Sequence, residues 1–233
     1  SNENIKTSIK LQLQQKIYST LKEDSLYLRP DFSLNVLIDL STEEIISNIF
    51  IDNQKNPFDE SYMPLKDSIF EFGSVFKPFT VYSAIKNNKI KLDDYFNVDE
   101  PVFIGKKLVE DFPKNSQIPF QVKDILKKSS NRGAVLIRRE LDCQKEFKND
   151  LKTIGLLSST SIGFNLNSIN PDVNNFRGSY CDTIPYGYGL SVSPIQLINA
   201  YGKIITGRDD FRATIEKKDF QKQNVFKYDT NTV

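Results

Sequence analysis

Apolar residues recur at four-residue spacing near the start of the chain, at Ile9, Leu13, Ile17 and Leu21. That period puts them on one helix face over about 10–23, with Thr7 and Ser8 as candidate caps. The pattern then changes. Residues 34–40 (LNVLIDL) and 44–51 (EIISNIFI) are rich in β-branched side chains, and the short Ser41-Thr42-Glu43 link predicts a hairpin. A polar loop with Asn56-Pro57 and Met63-Pro64 follows, then a helix over 74–87. The stretch 90–120, interrupted by Pro101, Pro113 and Pro119, predicts irregular chain. Val122, Ile125 and Leu126 mark a short helix, followed by helices over about 132–141 and 145–154, the last closed by Gly155.

Residues 158–192, rich in Ser, Asn and Gly, predict loop. Ser193-Pro194-Ile195-Gln196 is the sharpest local signal: a serine cap, a proline suited to the first turn, and a glutamine that completes a capping box. Ile195, Ile198, Tyr201 and Ile205 then form a stripe expected to be buried, with Gly207 as the stop. Strands first, helices in the middle and strands expected at the end describe an α+β domain.

Composition narrows the function. The 233 residues are 39% hydrophobic, enough for a sizeable core in one large or two small domains. Lys plus Arg is 31 and Asp plus Glu 30, a net charge of +1. That balance argues against nucleic-acid binding by phosphate neutralisation and gives no reason to expect an anionic membrane surface as partner. No segment is apolar enough over a bilayer's thickness to span it, and no cleavable signal pattern is present. Ser1-Asn2 reads as residual sequence and Asn231-Thr232-Val233 carries no terminal signature, so the chain is expected to be an excerpt of a longer protein.

Histidine is absent, which excludes Ser-His-Asp triads, Cys-His dyads and histidine metal sites. Acid–base chemistry falls to Lys, Asp, Glu, Tyr or Ser. Cys143 and Cys181 have no CxxC spacing and are too few for a disulfide scaffold; they read as two free thiols, with a single disulfide as the informative alternative.

A serine nucleophile without histidine needs another base, and a lysine at i+3 lies beside it on one helix face. That lysine must be neutral to act, so burial must lower its pKa from about 10.4. Ser-x-x-Lys occurs three times: Ser19 to Lys22, Ser83 to Lys86, and Ser74 to Lys77. The first pair reads as solvated helix surface and the second as structural. Ser74 follows Gly73 and opens a helix whose Pro78 fits only a first turn, so its hydroxyl sits near a positive helix end. A second polar cluster, Ser129-Ser130-Asn131, falls between two helices. Ser129 is there either a helix N-cap or a hydroxyl aimed, with the Asn131 amide, into a cleft.

The run Glu71-Phe72-Gly73-Ser74-Val75-Phe76-Lys77-Pro78-Phe79-Thr80 resembles the penicillin-binding proteins, whose signatures include S-x-x-K. Other stretches agree in family order. Thr7-Ser8-Ile9 with Leu13-Gln14 resembles the opening of the transpeptidase domain, Asp39 to Ile46 the strand pair before the active site, Leu126 to Ala134 the Ser-x-Asn loop, and Tyr186 to Leu197 a late run. Together they cover roughly 5–207 and are most similar to the monofunctional class B enzymes of division and elongation.

The resemblance implies a transpeptidase fold with an antiparallel sheet, helices on its faces and an α-helical subdomain. All of 1–233 would be one transpeptidase domain, incomplete at its C-terminus. It implies Ser74 as acylated nucleophile, Lys77 as base, Ser129 as proton relay to the leaving amine, and Asn131 as the residue that holds the substrate peptide. The Ser74 N–H would supply half an oxyanion hole. The reaction implied is D,D-transpeptidation of peptidoglycan stem peptides ending in D-Ala-D-Ala, with β-lactams acylating the same serine. No metal or organic cofactor is implied. The implied partners are a glycosyltransferase and divisome or elongasome proteins. The implied location is the outer face of the bacterial cytoplasmic membrane, with an upstream anchor helix outside this chain.

Two departures stand out. Phe72 occupies the place of the family's usual proline. No Lys-Thr-Gly triplet is present, since Lys203 to Gly207 (KIITG) closes the late helix. The tail Phe226 to Val233 resembles the segment before the strand that carries the triplet, which favours an excerpt over true loss. The alternatives are a non-catalytic scaffold of a wall-synthesis complex, and a β-lactamase or β-lactam sensor.

Overall fold

The computed structural model describes residues 5–53, 62–112, 119–171 and 176–218. The elements run α1 (Leu11–Leu28), β1 (Phe32–Asp39), β2 (Glu44–Asp52), α2 (Pro64–Asp67), α3 (Lys77–Lys86), β3 (Tyr95–Phe96), β4 (Val102–Ile104), β5 (Lys107–Val109) and β6 (Phe120–Gln121). Then follow α4 (Val122–Lys127), α5 (Asn131–Arg139), α6 (Lys148–Thr153), α7 (Tyr180–Thr183) and α8 (Pro194–Thr206). Short 3₁₀ turns at Gly73–Phe76 and Ile184–Tyr186 precede α3 and follow α7, and a π turn at Cys143–Phe147 leads into α6. The chain divides into two compact units: 1–68, 159–169 and 193–233 form the first, and 69–158 with 170–192 the second.

The first unit is built on the β1–β2 hairpin, antiparallel from Phe32 opposite Asp52 to Asp39 opposite Glu44, with a register shift at Leu37/Ile38. Asp39 Oδ1 accepts from the Ser41 N–H and hydroxyl and shapes the turn. The hairpin and its link match the expectation from sequence. Below it Ile45, Leu65, Ile162, Ile195, Phe211 and Ala213 form one buried cluster. Thr7 and Ser8 do not cap α1. The helix starts at Leu11 after an uncapped Lys10, and the Ser8 hydroxyl instead donates to the Ile45 carbonyl at 2.7 Å. Backbone continuity with the sheet wins over capping, because Ser8 also donates its N–H to Ile215 O.

Ser193 caps α8 through the expected box with Gln196, Pro194 is in the first turn and Gly207 closes the helix at φ +66°. The buried stripe is rotated from its expected position: Ile195 is fully buried but Ile205 is 43% exposed. Gly202 explains the rotation. A Cβ there would lie 2.0 Å from the Phe211 ring, so the helix presents its glycine flank to that ring. On the same buried side Asn199 accepts from the Ala213 N–H at 2.8 Å and donates to Thr160 Oγ1 at 3.0 Å. The strands expected at the end reduce, among the described residues, to isolated bridges of Thr7 with Glu216 and Glu44 with Thr214. The 226–233 tail and Asn56-Pro57 lie outside the described residues.

The second unit is mostly helical. Between 90 and 120 the chain is less irregular than expected: β4 and β5 pair as a hairpin, and β3 pairs with β6. Gly105 takes φ +60° at the first position of the two-residue turn, where hairpins need it. Against that hairpin packs Val135 of α5, sealing Val102, Ile104 and Val109. Helix α4 and helix α5 approach so closely at Gly133 that a Cβ would fall 2.5 Å from the buried Ile125 side chain.

The cysteines are a correction. Cys143 and Cys181 are not free thiols but a disulfide, with Cα atoms 6.0 Å apart. Their sequence separation concealed what packing brings about: α5 and α7 lie side by side, and Asp182 takes ion pairs from both Arg138 and Arg139. The residues flanking that contact therefore meet. The bond closes a loop of separation 38, worth about 4 kcal/mol if chain entropy dominates. Replacing both cysteines by serine should lower the free energy of unfolding by up to about that amount. Denaturant titration of the variant, and of the native chain with and without reductant, checks it.

Candidate active site

The Ser74–Lys77 pair forms where a 3₁₀ turn hands over to α3. Gly73 starts the turn at φ +58°, and Lys77 and Pro78 open the α-helix. The turn is held from outside by backbone. Gly73 N–H donates to Gly187 O at 3.2 Å, and a Cβ on Gly187 would fall 1.9 Å from the Gly73 carbonyl oxygen. With φ +95° as well, position 187 accepts only glycine. Glu71 adds a second tie, its carboxylate accepting from the Gly189 N–H at 2.6 Å.

Ser74 is exposed, whereas Lys77 is 2% exposed. The Lys77 amine reaches three oxygens: Ser74 Oγ at 2.7 Å, Ser129 Oγ at 2.9 Å and the Ser129 carbonyl at 2.9 Å. A neutral amine has two N–H donors and one lone pair. The carbonyl can only accept, so it takes one N–H; the other goes to Ser129, and the lone pair faces the Ser74 hydroxyl. The neutral form is thus fully satisfied while aimed at the proton of Ser74. Burial pushes the Lys77 pKa down to about 8, against the opposing pull of the Asp111 carboxylate.

Ser129 presents both its oxygens to the lysine because of how α4 ends. Its N–H donates to Leu126 O and the next, Ser130 N–H, donates to Ile125 O, the paired bonds of a Schellman motif. Ser129 is the left-handed residue of that motif, at φ +55°, where glycine is usual. A serine there accepts a backbone cost of about 1–2 kcal/mol. The N-cap role open to Ser129 in the sequence belongs to its neighbour: Ser130 Oγ accepts from Gly133 N–H and caps α5.

Asn131 is the first residue of α5. Its side-chain amide donates to Glu110 O at 2.9 Å, and the residue lines a cleft of about 530 Å³. All four residues singled out from the sequence therefore fall in one unit. Ser74, Lys77 and Ser129 are directly bonded, and Asn131 lies two residues further on.

Asp111 was not singled out from the sequence. Its carboxylate is buried and accepts from Ser130 Oγ at 2.7 Å, Asn131 N–H at 2.6 Å and Arg132 N–H at 3.1 Å. It saturates the start of α5 and fixes the Ser129–Asn131 turn. Arg132 in turn donates to Val109 O at 2.9 Å and ties that end of β5 to the helix. An ordinary acidic residue in a loop 18 positions before Ser129 gives no sequence signal; only the fold brings it there.

Of the other Ser-x-x-Lys pairs, Ser83 and Lys86 are structural, and Ser19 and Lys22 lie on exposed helix surface. Ser83 is buried and donates to Asp150 at 2.6 Å, while Lys86 pairs with the same carboxylate at 2.7 Å and locks α3 to α6. Ser19 bonds its own helix at Gln15 O.

A buried amine shared by two hydroxyls, one of them exposed, can serve as base to a serine nucleophile. The chain belongs to the penicillin-binding protein transpeptidase domain family, whose description matches residues 34–233. Its relatives are of the class B type. The peptidoglycan D,D-transpeptidase FtsI of Buchnera aphidicola subsp. Schizaphis graminum is 29% identical over 210 residues, which is 86% of this chain and 36% of the relative. Penicillin-binding protein PbpB of Mycolicibacterium smegmatis is 26% identical over 179 residues, 71% of this chain and 27% of the relative. The chain thus spans about a third of the length of such relatives. The apo transpeptidase domain of Burkholderia pseudomallei penicillin-binding protein 3 superposes with a TM-score of 0.79 at 25% identity, over 96% of this chain and 64% of that one. The fold is the α+β transpeptidase fold.

The left-handed backbone at Ser129 yields a prediction. Ser129→Gly and Ser129→Ala both lose the hydroxyl, but only glycine relieves the backbone. The glycine variant should be the more stable by about 1 kcal/mol, or roughly 3 °C in melting temperature for a chain of this size. Thermal melts of the two variants side by side test this.

Proposed function

We propose that this chain is the catalytic part of a peptidoglycan D,D-transpeptidase that cross-links stem peptides through an acyl-enzyme on Ser74 and is acylated there by β-lactams. The supporting observation is the Lys77 amine within hydrogen-bond reach of both Ser74 and Ser129. The FtsI relatives carry the name peptidoglycan D,D-transpeptidase, which supports the wall-synthesis reading; on that reading the chain serves cell division or elongation. On this reading the domain works on the outer face of the cytoplasmic membrane. A Cys143–Cys181 disulfide suits such an oxidising compartment. Among the described residues no helix is long and apolar enough to cross a membrane, so an anchor would lie elsewhere in the protein. Glycosyltransferase and division or elongation proteins are the partners this role would require.

The chemistry follows from the geometry. Neutral Lys77 takes the Ser74 proton as Oγ attacks the penultimate D-alanine carbonyl. The tetrahedral oxyanion is met by the Ser74 N–H at the head of α3. The proton passes from Lys77 through Ser129 Oγ to the departing D-alanine nitrogen, and the C–N bond breaks. Lys77 is neutral again. The amine of a second stem then attacks the ester, its proton travels back through Ser129 to Lys77, and Ser74 Oγ leaves and recovers it. On this reading Asn131 holds the substrate peptide. Burial of Lys77 does the preparatory work: at a pKa near 8 a useful fraction is already neutral at physiological pH, against well under 1% at the reference value.

A fluorescent penicillin with intact-mass readout tests the reading on the full-length protein. One adduct on Ser74 is expected; Ser74→Ala should abolish it, and Lys77→Ala and Ser129→Gly should slow it by about 10²–10⁴-fold. No adduct on the native protein would leave the scaffold reading, and rapid release of hydrolysed drug the β-lactamase reading.

The pH dependence has a definite sign. Because the reactive form is the deprotonated amine, acylation should rise with pH and level off above about 8. The unfolded chain holds its lysine proton up to about 10.4. It therefore binds more protons than the native state between the two values, and stability from this group rises with pH across that window and falls as pH drops through about 8. Asp111→Asn removes that opposing charge and should move the midpoint of the acylation profile to lower pH. Stopped-flow acylation across pH 6–10 measures both, and a rate loss at unchanged midpoint would assign Asp111 a structural role alone.

A further inference from the structure

The stretch 180–192 reaches the nucleophile turn from outside and is bonded to it along its length. Gly187 O accepts from Gly73 N–H, Glu71 accepts from Gly189 N–H, and Phe70 exchanges both of its backbone bonds with Val192. One turn into α3, the buried Thr80 hydroxyl donates to Pro185 O at 3.0 Å. Ser74 therefore sits where this stretch puts it.

The stretch does not hold itself. Helix α7 has four residues and the 3₁₀ turn after it three, too few to be stable alone. Nor does it simply continue from its neighbours: the chain leaves the second unit after 158, contributes 159–169 to the first, and returns at 170. The returning segment is anchored on residues 138–148. Phe176 O accepts from the Gln144 side chain, and the Phe176 ring meets Phe147 edge-on at 6.4 Å. Asp182 pairs with Arg138 and Arg139. Between these anchors Cys181 is bonded to Cys143. The Asp182 pairs are partly open to water, where ion pairs hold loosely. The disulfide is covalent and lies six residues from Gly187. Its hold is passed on by packing: a Cβ on Gly189 would fall 2.7 Å from the Tyr180 ring, so the far end of the stretch rests on α7 itself.

We propose that the Cys143–Cys181 bond is a redox control on Ser74. This rests on the proposed function, since acylation is the step controlled. With the bond closed, α7 is fixed and 185–192 holds the nucleophile turn against Lys77. With it open, α7 loosens, the Gly73–Gly187 and Glu71–Gly189 bonds weaken, and the Ser74 hydroxyl loses its alignment while both units stay folded. The buried clusters around Ile45 and Val135 contain neither cysteine. The reaction partner is a dithiol. One of its thiolates attacks the sulfur of Cys143, the less buried of the two residues; the S–S bond breaks, and Cys181 leaves as a thiolate and takes a proton. The second thiolate attacks the dithiol's own sulfur in the mixed disulfide and frees Cys143 as a thiol. Two electrons and two protons pass to the protein, and the dithiol ends as a cyclic disulfide. Oxidation by a disulfide reverses these steps. A chain made under reducing conditions thus carries a dormant serine until it meets an oxidising compartment.

The test uses the full-length protein, dithiothreitol as the dithiol and a fluorescent penicillin. Acylation rates are compared for the oxidised protein, for the reduced protein after the reductant is removed under nitrogen, and after reoxidation by glutathione disulfide. Peptide mapping after alkylation reports the state of the two cysteines. The reduced form should label Ser74 ten-fold or more slowly, and reoxidation should restore the rate. The double variant Cys143→Ala/Cys181→Ala should match the reduced rate and be insensitive to dithiothreitol. Hydrogen exchange supplies the local readout: on reduction, peptides over 70–76 and 184–190 should exchange faster while those over 32–52 do not change. Equal rates in the two redox states overturn the proposal. So does slowing that comes with loss of protection throughout, which would make the bond a staple against unfolding, or equal slowing of the double variant by dithiothreitol. Each of these leaves the proposed function standing while the oxidised protein takes one adduct on Ser74; no adduct in either state removes the two together.

Discussion

The site depends on keeping one amine out of water. Lys77 is nearly inaccessible, and in that environment its charged form is the disfavoured one. A buried ammonium without a carboxylate partner is costly, whereas a neutral amine with two acceptors and one hydroxyl proton within reach is fully satisfied. The fold must therefore supply those three oxygens at fixed positions, and most of the second unit's local structure does so. The 3₁₀ turn brings Ser74, and the end of α4 brings both oxygens of Ser129.

The Asp111 carboxylate limits how far this can go. It is buried beside the cluster and stabilises the protonated lysine, which opposes desolvation. It cannot be dispensed with, because it satisfies three donors at the start of α5. The same group that shapes the turn thus sets an upper bound on the basicity lost by Lys77. The result is an amine whose pKa lies close to physiological pH and not far below it, where its proton affinity would be too weak to draw a proton from serine.

What could be read in the sequence follows from range. Ser74 and Lys77 are three residues apart, so one helical turn unites them, and the capping box of Ser193 and Gln196 is equally local. Ser129 and Asn131 were legible only through the resemblance, because nothing in their own spacing separates them from Ser33 and Asn35 on β1. Asp111, the Cys143–Cys181 bond and the true buried face of α8 were not legible. Each is decided by contacts between segments distant in sequence: α5 with the loop after β5, α5 with α7, and Gly202 with Phe211. The short β3–β6 and β4–β5 pairs were missed because two or three residues carry too little periodicity to count as a strand, and the prolines around them read as interruption.

The contact of Gly187 with Gly73 bears on why Phe72 can replace the family's proline. A proline ahead of the nucleophile would stiffen that turn from within, by its ring. Here main chain braces main chain, so rigidity arrives from the neighbouring strand of polypeptide. Phe72 already adopts φ −85°, close to what proline would impose, and its ring meets Phe70 edge-on at 5.9 Å. Freedom at one position and total constraint at another are two faces of the same arrangement: sequence drift is tolerated where side chains project outward from the loop, and forbidden where two backbones touch.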